Sequence, residues 1–262
     1  MARRPLIVGN WKMQTNVEEA LHLGRGILHA LQDKRWELDV AICPPLPWIV
    51  PVEAALGRSQ KLQLGAQDAT PGAFGAETGN VSLGMLKPHV QFVIVGHSER
   101  RLSGESHQTI NAKLRDALKR GITPILCVGE FVALYENKRK RGRPTKLEAE
   151  SNIAMQLRRA LREISPTVLG KLVVAYEPVW AIGTGNAASP EYAGKMIRKL
   201  RRTLARIAGK RRADKIRILY GGSVNAKNAA DYAAVKGIDG ALVGGASLDI
   251  DEFVGVVQAF SR

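Results

Sequence analysis

Residues 90–100 read VQFVIVGHSER. Four large apolar residues, Phe92 to Val95, follow one another with none of the alternation a half-exposed strand shows, and a glycine, His97, Ser98 and Glu99 come directly after. A strand that is apolar on both faces must be covered on both faces, which is the condition of a parallel sheet flanked by helices. The same pattern recurs outward in both directions. Strands are expected at Leu6–Gly9, Leu38–Cys43, Leu62–Ala66, Phe92–Val95, Ile122–Val128, Leu172–Tyr176, Ile216–Tyr220 and Gly240–Val243. Between them lie stretches with apolar residues three and four apart, at Val17–Leu31, Asn111–Arg120, Lys146–Ile164, Glu191–Ala208 and Ala226–Ala234, the spacing of amphipathic helices.

Eight βα units in 262 residues fit one closed (β/α)8 barrel spanning residues 1–262 as a single domain. An open doubly wound sheet is the competitor. Its nucleotide fingerprint, G-x-G-x-x-G opening the first helix, is missing after the first strand. The most irregular stretch is FVALYENKRKRGRPT at Phe131 to Thr145, read as a basic insertion on the barrel edge.

With 45% hydrophobic residues the chain can bury a large core. It has no apolar run of about 18 residues that could cross a membrane, and its opening residues MARRPLIVGNWKM lack the apolar core of a leader. A cytoplasmic location is expected. Cys43 and Cys127 end apolar runs without zinc or redox spacing, so buried thiols are expected. The formal net charge is +15, concentrated at Lys138 to Arg143, Arg198 to Arg202 and Lys210 to Lys215. Such charge raises a polyanion-binding barrel as an alternative function. Aromatic residues make up only 5% of the chain and do not interleave with the basic runs, so no specific nucleic-acid partner is expected.

In a barrel of this kind chemistry sits at the C-terminal ends of the strands. There the sequence places Asn10 and Lys12 after strand one, His97 and Glu99 after strand four, Glu177 after strand six, Gly221, Gly222 and Ser223 after strand seven, and Gly244 and Gly245 after strand eight. Each alone has a structural explanation. Lys12 could be a surface lysine, His97 a helix cap, and the glycines ordinary tight turns. Their convergence on one rim suggests a site. Glycine turns that open helices let backbone N–H groups approach a phosphate, so a small phosphorylated substrate is expected. No carboxylate cluster suggests a metal, no lysine follows strand six to form an imine, and no cofactor is expected.

The segments GNWKM, VGHSERR, PILCVGE, VAYEPVWAIGTG, ILYGGSV and DGALVGGASL, in this order and spacing from about Leu6 to Phe260, resemble those of the triosephosphate isomerase family. The resemblance implies a cofactor-free isomerase of glycolysis and gluconeogenesis. It would interconvert dihydroxyacetone phosphate and D-glyceraldehyde 3-phosphate through an enediolate. It makes Glu177 the base and the neutral His97 the electrophile. Lys12 and Asn10 serve the developing oxyanion, and Glu99 completes the catalytic set by holding Lys12 and assisting the proton relay. Ser223, Gly244, Gly245 and the Gly183 N–H receive the phosphate. Pro178, Val179, Trp180, Ala181, Ile182, Gly183, Thr184 and Gly185 form a lid that closes over it. The resemblance also implies a homodimer with Gln14, Gln67, Thr78 and Gly79 at the interface. An isomerase of four-carbon ketose phosphates with the same chemistry is the nearest alternative enzyme.

The chain departs from the family pattern at several positions. The third loop reads Glu77, Thr78, Gly79, Asn80 where an aromatic residue, Thr, Gly and Glu are usual, which removes an expected partner for Arg100. Gln14, Asp68 and Asn186 also differ from the residues the family most often carries.

Overall fold

The computed structural model describes residues 3–32, 36–57, 59–130, 146–181 and 187–261, with the side chains of 146–151 and 181 left out. The eight strands are β1 (Leu6–Asn10), β2 (Asp39–Cys43), β3 (Gln63–Ala66), β4 (Phe92–Val95), β5 (Thr123–Gly129), β6 (Val173–Glu177), β7 (Arg217–Tyr220) and β8 (Gly240–Val243). They run parallel in sequence order and close on themselves, with β1 also paired to β8 from Leu6↔Gly240 to Gly9↔Val243. Around them lie α1 (Val17–Gln32), α2 (Ile49–Leu56), α3 (Leu83–Leu86), α4 (Ser98–Leu102), α5 (His107–Arg120), α6 (Lys146–Ala160), α7 (Pro190–Ala208), α8 (Lys210–Ala213), α9 (Ala229–Ala233) and α10 (Ile250–Phe260).

Both faces of the strands are apolar because each meets a different core. Leu6, Val8, Ile94, Ile125, Val173, Leu219 and Leu242 fill the interior of the barrel, while their neighbours Ile7, Val93, Leu126, Val174 and Ile218 pack under the helices. Truncating any one of them to alanine removes about 2–5 kcal/mol. Cys43 and Cys127 belong to the inner layer and are fully buried free thiols.

Local chemistry sets the helix ends. Asn16 and Glu19 cap α1 reciprocally, each side chain accepting the other's backbone N–H at 2.9–3.0 Å. Ser106 caps α5, which stops at Gly121 in the left-handed conformation. Ser189 caps α7, with Pro190 at its first position. The helix expected at Ala226–Ala234 is confined to Ala229–Ala233, since Asn225 and Asn228 tie the preceding residues into an Asx turn. The basic stretch Phe131 to Thr145 lies outside the described residues.

Candidate active site

The polar residues of the rim are placed by the strand ends. Asn10 is the last residue of β1, and two residues on Lys12 takes a φ of 54°. The left-handed region costs an ordinary residue about 1–2 kcal/mol, and three contacts hold Lys12 there. Asn10 Oδ1 accepts the Lys12 N–H at 3.1 Å, and the Gln67 side-chain amide donates to the Lys12 carbonyl at 2.7 Å. Lys12 Nζ rests on Glu99 Oε1 at 2.6 Å. The ammonium is thus fixed at the rim with its charge still facing the site.

After β4 the chain turns at Gly96, whose φ of 70° and missing Cβ leave room for the buried Arg101. Arg101 donates to the Gly96 and Cys127 carbonyls at 2.7 and 2.9 Å and so ties the ends of β4 and β5 together. His97 then caps α4, its Nδ1 accepting the Glu99 N–H at 3.2 Å. A ring nitrogen that accepts carries no proton, so the neutral imidazole holds its proton on Nε2. Nε2 faces Glu177.

Glu177 ends β6 and is 1% exposed. Its Oε2 accepts the Ser98 N–H at 2.9 Å, at the N-terminus of α4. Its Oε1 lies 3.1 Å from His97 Nε2, at ion-pair distance, and accepts no hydrogen bond among the described residues. This oxygen is therefore turned to the His97 ring edge and the cavity rather than to a backbone donor. Burial pushes the neighbouring Cys127 thiol well up, and the Glu177 charge adds to that. The thiol stays protonated beside the carboxylate and cannot compete with it as an anion.

Asn10, Lys12, His97 and Glu177 share one cavity of about 290 Å3 with Ser223, Gly244 and Gly245. Gly221 and Gly222 line it too, and so do Val224, Asn225 and Ala246, which the sequence reading passed over. Glu99 stands beside this cavity, on Lys12. At Gly222 a Cβ would fall 2.3 Å from the Tyr220 hydroxyl, so only a bare backbone fits. Pro178 and Val179 follow β6 directly, and Trp180 donates from its indole to Glu130 at 2.8 Å. Of the remaining lid positions, Ala181 is described by its backbone alone, while Ile182, Gly183, Thr184 and Gly185 lie outside the described residues.

Glu130 had no role in the sequence reading. It is 1% exposed and gathers the Tyr176 hydroxyl, the Trp180 indole and, at 2.9 Å, the Tyr192 hydroxyl. Its three donors come from 46 to 62 residues away, which no local pattern reveals. Tyr220 and Tyr232, stacked with ring centroids 4.2 Å apart, hold Ala188 from both sides. Tyr220 accepts its N–H at 3.2 Å and Tyr232 donates to its carbonyl at 2.7 Å.

Gln14, Thr78 and Gly79 are exposed, whereas the amide of Gln67 is engaged within its own chain, by the Lys12 and Cys43 carbonyls. Arg100 pairs with Asp68 at 3.0 Å, so the residue that departs from the family pattern at 68 supplies the partner that loop three lacks. Among the described residues no group of His, Cys, Asp and Glu could hold a metal, and no helix is long and apolar enough to cross a membrane.

The family model described as Triosephosphate isomerase matches residues 5–260. Relatives named triosephosphate isomerase include one from Nocardia farcinica, 46% identical over 257 residues that cover 97% of this chain and 95% of its own. One from Mycobacterium tuberculosis is 44% identical over 260 residues, with the same shares covered. One from a Roseiflexus species is 45% identical over 258 residues, covering 98% of this chain and 97% of its own.

Proposed function

The chain belongs to the triosephosphate isomerase family and is an isomerase, and from that premise we propose that Glu177, His97, Lys12 and Asn10 carry the interconversion of dihydroxyacetone phosphate and D-glyceraldehyde 3-phosphate. The observation that carries the assignment is the buried Glu177 Oε1, unpartnered at a cavity that also holds His97 and Lys12. A carboxylate oxygen that carries no hydrogen bond is free to accept a proton from a carbon acid brought into the cavity.

Glu177 takes the proton from the carbon beside the carbonyl. His97, with its proton on Nε2, polarises the carbonyl as a neutral donor and passes protons between the two oxygens of the enediolate. Lys12 adds positive charge where negative charge develops, which is the largest single contribution such sites make. Asn10 donates from its amide to a substrate oxygen while its Oδ1 keeps Lys12 in its turn. Glu99 fixes the lysine rather than meeting the substrate. Ser223, Gly244 and Gly245 receive the phosphate, with the Gly183 N–H of the expected lid, and no cofactor or metal takes part.

The subunits pair as a homodimer in the cytoplasm. Met13 at 93% and Phe74 at 88% are the most exposed large apolar residues described, one in the Lys12 loop and the other in loop three beside Thr78 and Gly79. Their exposure on the two loops that the family resemblance assigns to the interface supports a surface that is covered in use. Gln14 belongs to the same loop as Met13. Gln67 acts at that interface indirectly, by holding the Lys12 loop from within its own subunit.

A coupled assay with D-glyceraldehyde 3-phosphate over a range of protein concentrations tests both parts. Turnover on the triose, far above that on a four-carbon ketose phosphate, is the expected result. Loss of activity on dilution places the interface within the working machinery, and no turnover on the triose overturns the assignment.

A further inference from the structure

Residues 190–217, the segment of α7 and α8, hold eleven of the chain's 39 lysines and arginines but only two of its 24 acidic residues. Some of these cations have structural tasks. Arg201 binds Asp239 and two carbonyls, Arg217 binds Asp39, and Lys210 binds Asp214. Others have none that the fold supplies. Arg198, Arg202, Arg206, Arg211 and Lys215 are exposed and form no ion pair with any described residue. Arg198, Arg202 and Arg206 stand four residues apart, a stripe of about 12 Å along one face of α7. Like charges at that spacing repel and weaken the helix that carries them. The surroundings add to the field rather than relieving it: α6 packs against α7 and brings exposed Arg158 and Arg159, and the turn at Leu169–Lys171 packs against α8.

We propose that this face docks a nucleic-acid duplex through its phosphates, independently of sequence and apart from the isomerase site. A row of guanidinium groups on a rigid helix matches a row of phosphates, and each phosphate neutralised releases a condensed counterion. Two other anionic partners fit the face less well. Single strands are held by bases stacked on aromatic rings, and the exposed residues of this stripe are arginines alone. A bilayer surface is held by apolar side chains beside the charges, whereas the strongly exposed large apolar residues described, Met13, Val50, Phe74, Met85 and Leu102, all lie on the first half of the chain.

The test is fluorescence anisotropy of a labelled DNA duplex of about 20 base pairs with the full chain, titrated from low salt to about 0.15 M. Five contacts predict a slope of log K against log salt of about −4.5. The triple variant Arg198→Glu, Arg202→Glu, Arg206→Glu should bind at least tenfold more weakly and lose about three from the slope. Its turnover on the triose should be unchanged, since no residue of the stripe lines the cavity. If that variant fails to fold by circular dichroism, the three glutamine replacements make the same test with milder charge change. A matched variant, Arg25→Glu, Lys87→Glu, Lys119→Glu, removes the same net charge from exposed positions on α1, after α3 and on α5. Equal loss in both variants overturns the proposal in favour of net charge alone. Tighter binding of a single strand of the same length, or displacement of the duplex by vesicles of anionic phospholipid, overturns it in favour of those partners.

Discussion

The two ends of the barrel treat charge in opposite ways. At the N-terminal ends of the strands the carboxylates of Asp239 and Asp39 are both paired. One oxygen of Asp239 takes Arg3 at 2.8 Å, Arg201 at 2.9 Å and the Ile218 N–H at 2.9 Å, and Asp39 joins Arg4 at 2.8 Å to Arg217 at 2.6 Å. At the C-terminal ends a buried carboxylate keeps one oxygen unpartnered and a lysine is held in a strained turn. A satisfied charge contributes to holding the fold. An unsatisfied one costs stability and is tolerated where chemistry uses it.

Substitutions at the two ends should therefore separate stability from activity. The largest effect is expected for Glu177→Gln, which should lower kcat by about 10³- to 10⁴-fold while leaving the melting temperature unchanged or higher. Steady-state kinetics and a thermal melt on the same sample read both, and a variant that loses stability in step with activity would break the distinction. Asp239→Ala is the mirror image. It takes a carboxylate from two guanidinium groups that keep only carbonyl partners, and from an amide, so urea unfolding should show a loss of about 3 kcal/mol with kcat within about twofold. A large fall in kcat there would mean that the two ends are coupled.

A smaller effect sharpens the description of the cavity wall. Gly222→Ala forces a methyl group onto the Tyr220 hydroxyl, an overpacking cost of about 1–3 kcal/mol. It is expected to lower kcat/KM about tenfold, chiefly through KM. An unchanged KM would show that the loop after β7 does not meet the phosphate.

The smallest effect lies in alkaline stability. Burial raises the pKa of Tyr176, with Glu130 adding to it, and burial likewise raises those of Tyr220 and Tyr232. An unfolded tyrosine titrates near 10.0, so above that pH the unfolded chain releases protons that the folded chain retains, and stability falls as pH rises. Melting temperatures should therefore be flat with respect to these groups below about pH 10 and decline above it. Tyr232→Phe should make the decline shallower, and an identical slope in that variant would mean that Tyr232 does not contribute.

The strands were legible to within a residue, because burial on both faces leaves an apolar run that ends where the chain meets the rim. The long helices α1, α5, α6 and α7 were legible for the same reason, by their apolar stripes, while α2 and α10 were not among the stretches expected. The short ones, α3, α4 and α8, span four or five residues and have no period to read. Among the site residues, those that the strand ends deliver directly, Asn10, His97 and Glu177, could be found by looking at the polar residues just beyond each apolar run. Glu130 could not. It also ends on a strand tip, but its meaning comes from Tyr176, Trp180 and Tyr192, which only the closed barrel brings to it. The pairing of Arg100 with Asp68 is of the same kind, since the partner expected at position 80 is supplied instead from the start of the same loop, just past β3.

The contact between Tyr220 and the empty Cβ position of Gly222 also constrains how this lineage can change. The ring carbon bearing the hydroxyl would itself lie 2.5 Å from such a Cβ, so even Tyr220→Phe leaves no room. A side chain at position 222 becomes acceptable only after the ring at 220 has been exchanged for something smaller, and that exchange removes one of the two hydrogen bonds that hold Ala188. The path to a differently shaped anion pocket thus begins with a step that is harmful alone, which ties the choice at 222 to the ring at 220.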